Sequence, residues 1–357
     1  MQYARLLTLC DYYPPIFSPD GRNVAYRTQN GDKCSVVREQ HVEDLAWVGG
    51  FTFSPDSKTF AYQAVEGQKY CVVVGRERGE AFDKLGSTLR VVFSADSKTV
   101  AYKANNGGKW FVVVGGKKGD EFDEVTDPIF NPDGKTVAYT ACKTGRCFVV
   151  VWEKKLGEEF DGARDPTFSP DGKTIAYTAV KGDKAFIVVG GGKKGVQFDR
   201  AFSLVWSPDG KALAYVAGMK TSKNLFVVIG DKKEELLGNP FDNLILSLDG
   251  KTIVYSATTS EGRFVVVGKE KGEKYDLIRD IVFSPDGKIV AYAANKGATY
   301  DETTGWKGGR WFVVVGGRKG EEFDHIGPPA FSPDGKNVAF GALKGRELWW
   351  KVIEVKP

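Results

Sequence analysis

FSPDGKTIAYTAVKGDKAFIVVGGGKKGVQFD, residues 168–199, decides the fold, because nearly the same sentence recurs along the whole chain. Its opening pentapeptide returns as FSPDG (17–21), FSPDS (53–57), FSADS (93–97), FNPDG (130–134), FSPDG (168–172), WSPDG (206–210), LSLDG (246–250), FSPDG (283–287) and FSPDG (331–335), nine copies in all. The motif aspartates Asp20, Asp56, Asp96, Asp133, Asp171, Asp209, Asp249, Asp286 and Asp334 stand 36, 40, 37, 38, 38, 40, 37 and 48 residues apart. A fixed period near forty residues marks a repeat architecture, in which one supersecondary unit buries its faces against its neighbours.

Each unit reads as four strands. The residues before the motif, DPTF (165–168), make the first. Ser-Pro-Asp-Gly is a tight turn: proline presets φ, aspartate bonds nearby backbone and glycine takes the positive φ that closes it. KTIAYTA (173–179) is the second strand, AFIVV (185–189) the third, and VQFD (196–199) the fourth, after a Gly-Lys-Lys-Gly turn. The third strands, such as FVVVG (111–115, 264–268, 312–316), are apolar at every position. A strand without alternation is covered on both faces. Four-stranded antiparallel sheets packed face to face satisfy that demand, so the expected fold is all-β, a β-propeller of nine four-stranded blades, with eight blades as the alternative. A β-helix or open sandwich does not explain four-strand units of this length. The ninth copy (331–355) stops after its third strand and the chain starts with a lone strand, residues 4–9. Strand 4–9 is therefore expected to complete the last blade beside 349–355 and remove an open edge, making residues 1–357 one domain.

Composition narrows the function classes. Fifty Lys plus Arg against 46 Asp plus Glu leave a net charge of +4, too mild for nucleic acid, whose phosphates call for clustered, uncompensated cations. No apolar run approaches the ~20 residues of a membrane span, and the N-terminus lacks a basic region followed by an apolar one. The expected compartment is the cytoplasm, or the periplasm if an export signal has been removed. Cys10, Cys34, Cys71, Cys142 and Cys147 form no zinc-type spacing. Cys142 and Cys147 flank a four-residue hairpin loop within bridging reach, yet a cytoplasmic setting favours reduced thiols. No metal and no cofactor are expected.

The [FW]SPDGKxxAY pattern over essentially the whole chain resembles the WD-repeat-like propellers of the TolB type, whose blades also occur beside the hydrolase domain of prolyl-oligopeptidase-like enzymes. The resemblance implies protein–protein docking or a gating lid, and no catalytic residues carry over from it. It departs from this chain in repeat number and in the absence here of an accompanying domain.

The chemical candidates are few. His41 and His325 are isolated, and no Ser, Cys or Asp stands in a triad-like arrangement with them. GGGKKG (190–195) opens no helix, so it is no phosphate loop. An aspartate follows the fourth-strand aromatic in Asp83, Asp123, Asp161, Asp199, Asp276 and Asp324, with Asn239 at the matching place. Recurrence in nearly every unit makes it a cap on the inter-blade loop rather than a cation site. The Lys-Lys pairs, such as Lys117 and Lys118, read as solvated turns balanced by nearby acids. The expectation is a protein that is not an enzyme, a monomer that binds a protein or peptide through loops on one face; the alternatives are small-molecule or glycan binding in the central channel, or the accessory propeller of an enzyme. The step of 48 places its excess in 295–311, NKGATYDETTGWKGGRW. Tyr300, Asp301, Glu302 and Trp306 there, with Trp47, Tyr12 and Tyr13 in inter-blade loops, are the candidate partner-binding residues.

Overall fold

The computed structural model describes residues 8–9, 16–30, 33–38, 41–86, 90–152, 154–219, 225–230, 232–240, 244–260, 262–301, 305–345 and 347–355. They contain strands and turns and no helix. The strands form nine antiparallel sheets in chain order, each containing one SPDG-type turn between its first and second strands, and each runs first–second–third–fourth strand by hairpins, the ninth excepted. In the fifth sheet, for example, Gly162–Phe168, Ile175–Lys181, Lys184–Val189 and Lys193–Lys194 follow one another. The chain makes two compact units: 1–168 with 172–183 and 187–195, and 169–171 with 184–186 and 196–357.

The SPDG turn folds through one repeated set of bonds. Ser207 Oγ donates to Asp209 Oδ1 at 2.6 Å, and that oxygen accepts the Lys211 amide at 3.1 Å. Ser207 Oγ in turn accepts the Ala212 amide at 2.9 Å, so these bonds lock residues 207–212. The hydroxyl and the amide hold the Asp209 carboxyl below the usual carboxylate range. In FSPDS and FSADS the glycine is replaced by Ser57 and Ser97, both at φ 64°. Their hydroxyls accept the amides of Asp20 and Asp56 in the preceding turn, each at 3.0 Å, which offsets the left-handed strain.

Seams between consecutive sheets are built alike within each unit. Between the second and third sheets, Phe82 meets Phe111 edge-on at 5.5 Å amid Val72, Tyr102 and Val113, all buried. Full burial of each such aliphatic side chain contributes about 1.5–3 kcal/mol. The small alanines Ala101 and Ala104 are 0% exposed, which is why Ala recurs where sheets approach most closely. The Lys-Lys pairs are not turns: they start the fourth strand, as at Lys117–Lys118. The second lysine lies across the seam. Lys118 Nζ sits 5.2 Å from the Phe82 ring and 5.6 Å from Phe111 while bonded to Glu80 at 2.5 Å. Its stem covers apolar surface and its head faces an acid and two ring faces.

Two expectations are corrected here. Thr8 and Leu9 do not pair beside 349–355; they pair with Gln29 and Thr28 in the first sheet, as Lys84 and Leu85 do with Asn105 and Ala104 in the third. Residues 8–9 are thus the start of a first strand, which the apolar run alone could not distinguish from a fourth. Residues 4–7 lie outside the described residues. Cys142 and Cys147 are joined in a disulfide rather than reduced, because the register sets them directly opposite each other across the hairpin. Cys71 is buried and free, its thiol pushed up by burial.

Candidate functional site

The extra residues of the eighth repeat extend two strands. Val290–Asp301 and Gly305–Val315 pair without interruption of register from Ala291↔Val315 to Asp301↔Gly305. Two glycines mark where the hairpin leaves the sheet. Gly297 and Gly309 have φ of 86° and 74°, and a Cβ on Gly309 would fall 2.1 Å from Asn295 Oδ1 and 2.6 Å from the Ala298 amide. Only glycine fits there.

The repeated aspartate holds that base. Asp83 pairs with Lys69 of its own sheet and accepts the Gly107 amide of the next at 2.7 Å. Asp123 does the same with Lys109 at 2.6 Å and the Thr144 amide at 2.7 Å, and these bonds hold both carboxyls below the usual range. Asp161 takes Arg146 and the Gly182 amide, and Asp324 takes Arg310 and the Gly345 amide. The aspartate is a latch from one sheet to the hairpin of the next. Asp276 latches the long hairpin twice, accepting the Gly297 amide at 2.6 Å and the Ala298 amide at 3.1 Å.

At the far end of this stalk Tyr300 and Trp306 are direct cross-strand partners, with ring centroids 5.4 Å apart. They remain 62% and 43% exposed, and the Arg263 guanidinium of the seventh sheet sits 5.5 Å from the Trp306 ring. Asp301 is exposed beside them. At the base, Arg279 stacks 4.2 Å over Trp311 and donates to the Ile326 carbonyl at 2.6 Å. His325 meets Trp311 edge-on at 6.1 Å and lies 3.4 Å from Arg279. Burial, with the Arg279 charge, lowers the His325 pKa, so its imidazole is neutral at pH 7 and serves as an aromatic wall.

Of the candidate residues, Tyr300, Asp301 and Trp306 come together on this hairpin; Glu302, Tyr12 and Tyr13 lie outside the described residues. Trp47 belongs to the other unit, at the start of the second sheet's first strand, half-buried edge-on against Tyr70 at 6.5 Å. Sequence reasoning missed Arg263 and Arg279, whose repeat equivalents carry no common residue type. Asp276 was visible within the aspartate series, though not its double latch. Among the described residues no group of His, Cys, Asp or Glu is placed to hold a metal ion, and no helix is long and apolar enough to cross a membrane.

No family model matches the chain, and no curated protein does. Solved structures do. A crystal structure of the eukaryotic initiation factor, 15% identical, covers 88% of each chain with a TM-score of 0.58. The Dos1 propeller, 12% identical, covers 84% of this chain and 90% of its own, with a TM-score of 0.46. TolB from Acinetobacter baumannii, 16% identical, covers 92% and 76% at 0.35. At such identities the likeness concerns the fold alone: an all-β chain of antiparallel sheets with propeller neighbours. The matches also include an oligogalacturonate lyase, 14% identical, and the Kuenenia stuttgartiensis hydrazine synthase, 18% identical. The expectation that the chain is not an enzyme is corrected on that finding, since enzymes share the architecture; a fold hosts many functions and excludes none of them.

Proposed function

We propose that this chain is a propeller-type docking platform, its nine sheets the blades, which takes a protein partner on the long hairpin of the eighth sheet. Exposed Tyr300 and Trp306 on a latched stalk carry the reading. Paired aromatics held rigid offer large contact area at little entropic cost, and such residues dominate interface energetics. Asp276 and the two left-handed glycines fix the stalk, so the anchor is ordered before it binds. A TolB-like role fits the SPDG repeats, and an oxidising compartment such as the periplasm fits the Cys142–Cys147 disulfide. The platform acts as a monomer.

The test replaces residues 297–307 with a two-residue Gly-Asp turn and compares partner capture with that of the intact chain. Melting temperature is expected to stay nearly unchanged: beyond the latch the removed tip packs on one stacked arginine, and although the Ala298 amide is lost, the new glycine offers its amide to Asp276 as Gly107 and Gly182 do in the short hairpins. Affinity for the captured partner is expected to fall at least tenfold, about 1.4 kcal/mol. Equal affinity in both proteins removes the proposal.

A further inference from the structure

The ninth sheet breaks the pattern of the other eight. Each of those has a fourth strand along the outer side of its third, whereas Glu347–Glu354 of the ninth pairs, among the described residues, with Asn337–Lys344 alone. Among the described residues, no strand lies along the other side of these eight residues. The strand also exposes Trp349, Trp350 and Val352, at 46%, 74% and 57%. Residues at the same register in the eighth sheet, Phe312, Val313 and Val315, are at most 9% exposed.

One substitution covers part of the seam toward the eighth sheet, which farther along keeps a cavity lined by Val315, Lys319 and Ile353. Lys351 Nζ lies 5.4 Å from Phe323 and 5.1 Å from Trp349, bonded to Glu321 at 3.0 Å. That is the arrangement of the fourth-strand residue Lys118 over Phe82 and Phe111 with Glu80. A third-strand lysine thus does what a fourth-strand lysine does elsewhere. The free edge is therefore not a seam defect that a further lysine would mend. It is a sheet presenting one ready strand.

We propose that the edge Glu347–Glu354 is a strand-addition site for an extended peptide of a partner protein that begins basic and ends aromatic. The eight complete sheets supply the template. Their fourth strands run antiparallel to the third, start with basic residues opposite its end (Lys117 opposite Val114, Arg318 opposite Val315), and place an aromatic opposite its beginning (Phe122 opposite Trp110, Phe323 opposite Trp311). On the ninth sheet those places fall at Val352, two residues before Glu354, and at Leu348. Charge agrees: Lys351 is engaged by Glu321, leaving Glu347 and Glu354 as the acids at the two ends of an apolar centre. A second copy of this chain fits less well. Antiparallel pairing of the whole strand with itself sets Glu347 against Glu354 at both ends, and like charges directly opposite destabilise. Main-chain bonds supply the affinity in strand addition and alternate side chains the selectivity.

The probe is a fluorescent octapeptide, Lys-Thr-Val-Thr-Val-Thr-Phe-Lys, added to the full chain. Anisotropy is expected to show saturable binding, and hydrogen exchange of residues 347–355 to slow. The same peptide N-methylated at alternate residues, which cannot complete a ladder, is expected not to bind. Trp350→Glu, at a 74% exposed position, is expected to keep the melting temperature and weaken binding at least tenfold. No binding, equal binding by the N-methylated peptide, or equal binding by Trp350→Glu overturns the proposal. So does binding that appears only after residues 1–7 are deleted, which assigns the edge to the chain's own N-terminus. Concentration-dependent self-association that the peptide displaces assigns it to a second copy, and equally overturns it.

Discussion

The tyrosine of the AY pair sits in seam after seam, and its hydroxyl has different fates. Tyr255 is 2% exposed and its oxygen accepts the Leu237 amide at 2.9 Å. Tyr177 is 0% exposed and its hydroxyl has no partner; burial pushes its pKa up to about 12. Phe340 takes the place in the ninth sheet, so the seam tolerates loss of the oxygen. Tyr255→Phe is expected to lower stability by about 1 kcal/mol, the net worth of a buried hydrogen bond. Tyr177→Phe, which removes an unsatisfied polar atom, is expected to leave stability unchanged or raise it. Urea midpoints of the two variants check the pair; a larger loss at Tyr177 contradicts the account.

At the scale of elements, hairpins differ in how much backbone geometry they demand. Gly308 and Gly309 are adjacent and both left-handed, yet nothing lies within 4 Å of a Cβ on Gly308 while Gly309 faces backbone and Asn295. Gly308→Ala is expected to cost about 1 kcal/mol for the left-handed φ. Gly309→Ala adds a steric clash and is expected to cost about 3 kcal/mol, measured by thermal melting of each variant. The neighbouring type of hairpin, 142–147, is tied by its disulfide. Thiol titration of the unfolded chain is expected to find at least two more thiols after reduction than before; equal counts show Cys142 and Cys147 to be free.

At the scale of the whole molecule, repetition multiplies a small local effect. The turn carboxyls Asp20, Asp56, Asp96, Asp209, Asp249, Asp286 and Asp334 are all held below 3.8, chiefly by the serine two residues before each. A carboxyl whose folded pKa is depressed contributes stability that is complete above the unfolded value and lost as pH falls through the folded one. Stability is therefore expected to be level between about pH 5 and 7 on this account, and to fall progressively below pH 3.8 as the turns protonate together. Ser207→Ala with Ser284→Ala removes the first cause at two turns and is expected to make that acid limb shallower. Urea midpoints from pH 6 to 2.5 check it, and an acid limb as steep as that of the unaltered chain refutes the role of the serines.

The all-β class, the antiparallel four-strand units, the turn at every SPDG and the apolar third strands were legible in the sequence, because turn chemistry and side-chain pattern act over a few residues and recur along the chain. The latch aspartate was legible as structural for the same reason. Choices among equivalent partners were not. Residues 8–9 could start a first strand or supply a fourth, since both need the same short apolar run, and only the nearness of Thr28 and Gln29 in space decided it. Lys351 read as one more surface lysine until the fold set it over Phe323 and Trp349 beside Glu321. The candidate hairpin was found by its length, and Tyr300 with Trp306 by composition. Their stacking, the Arg263 contact and the double hold of Asp276 came from tertiary register, where cross-strand pairs and neighbouring sheets bring together residues that the chain keeps apart.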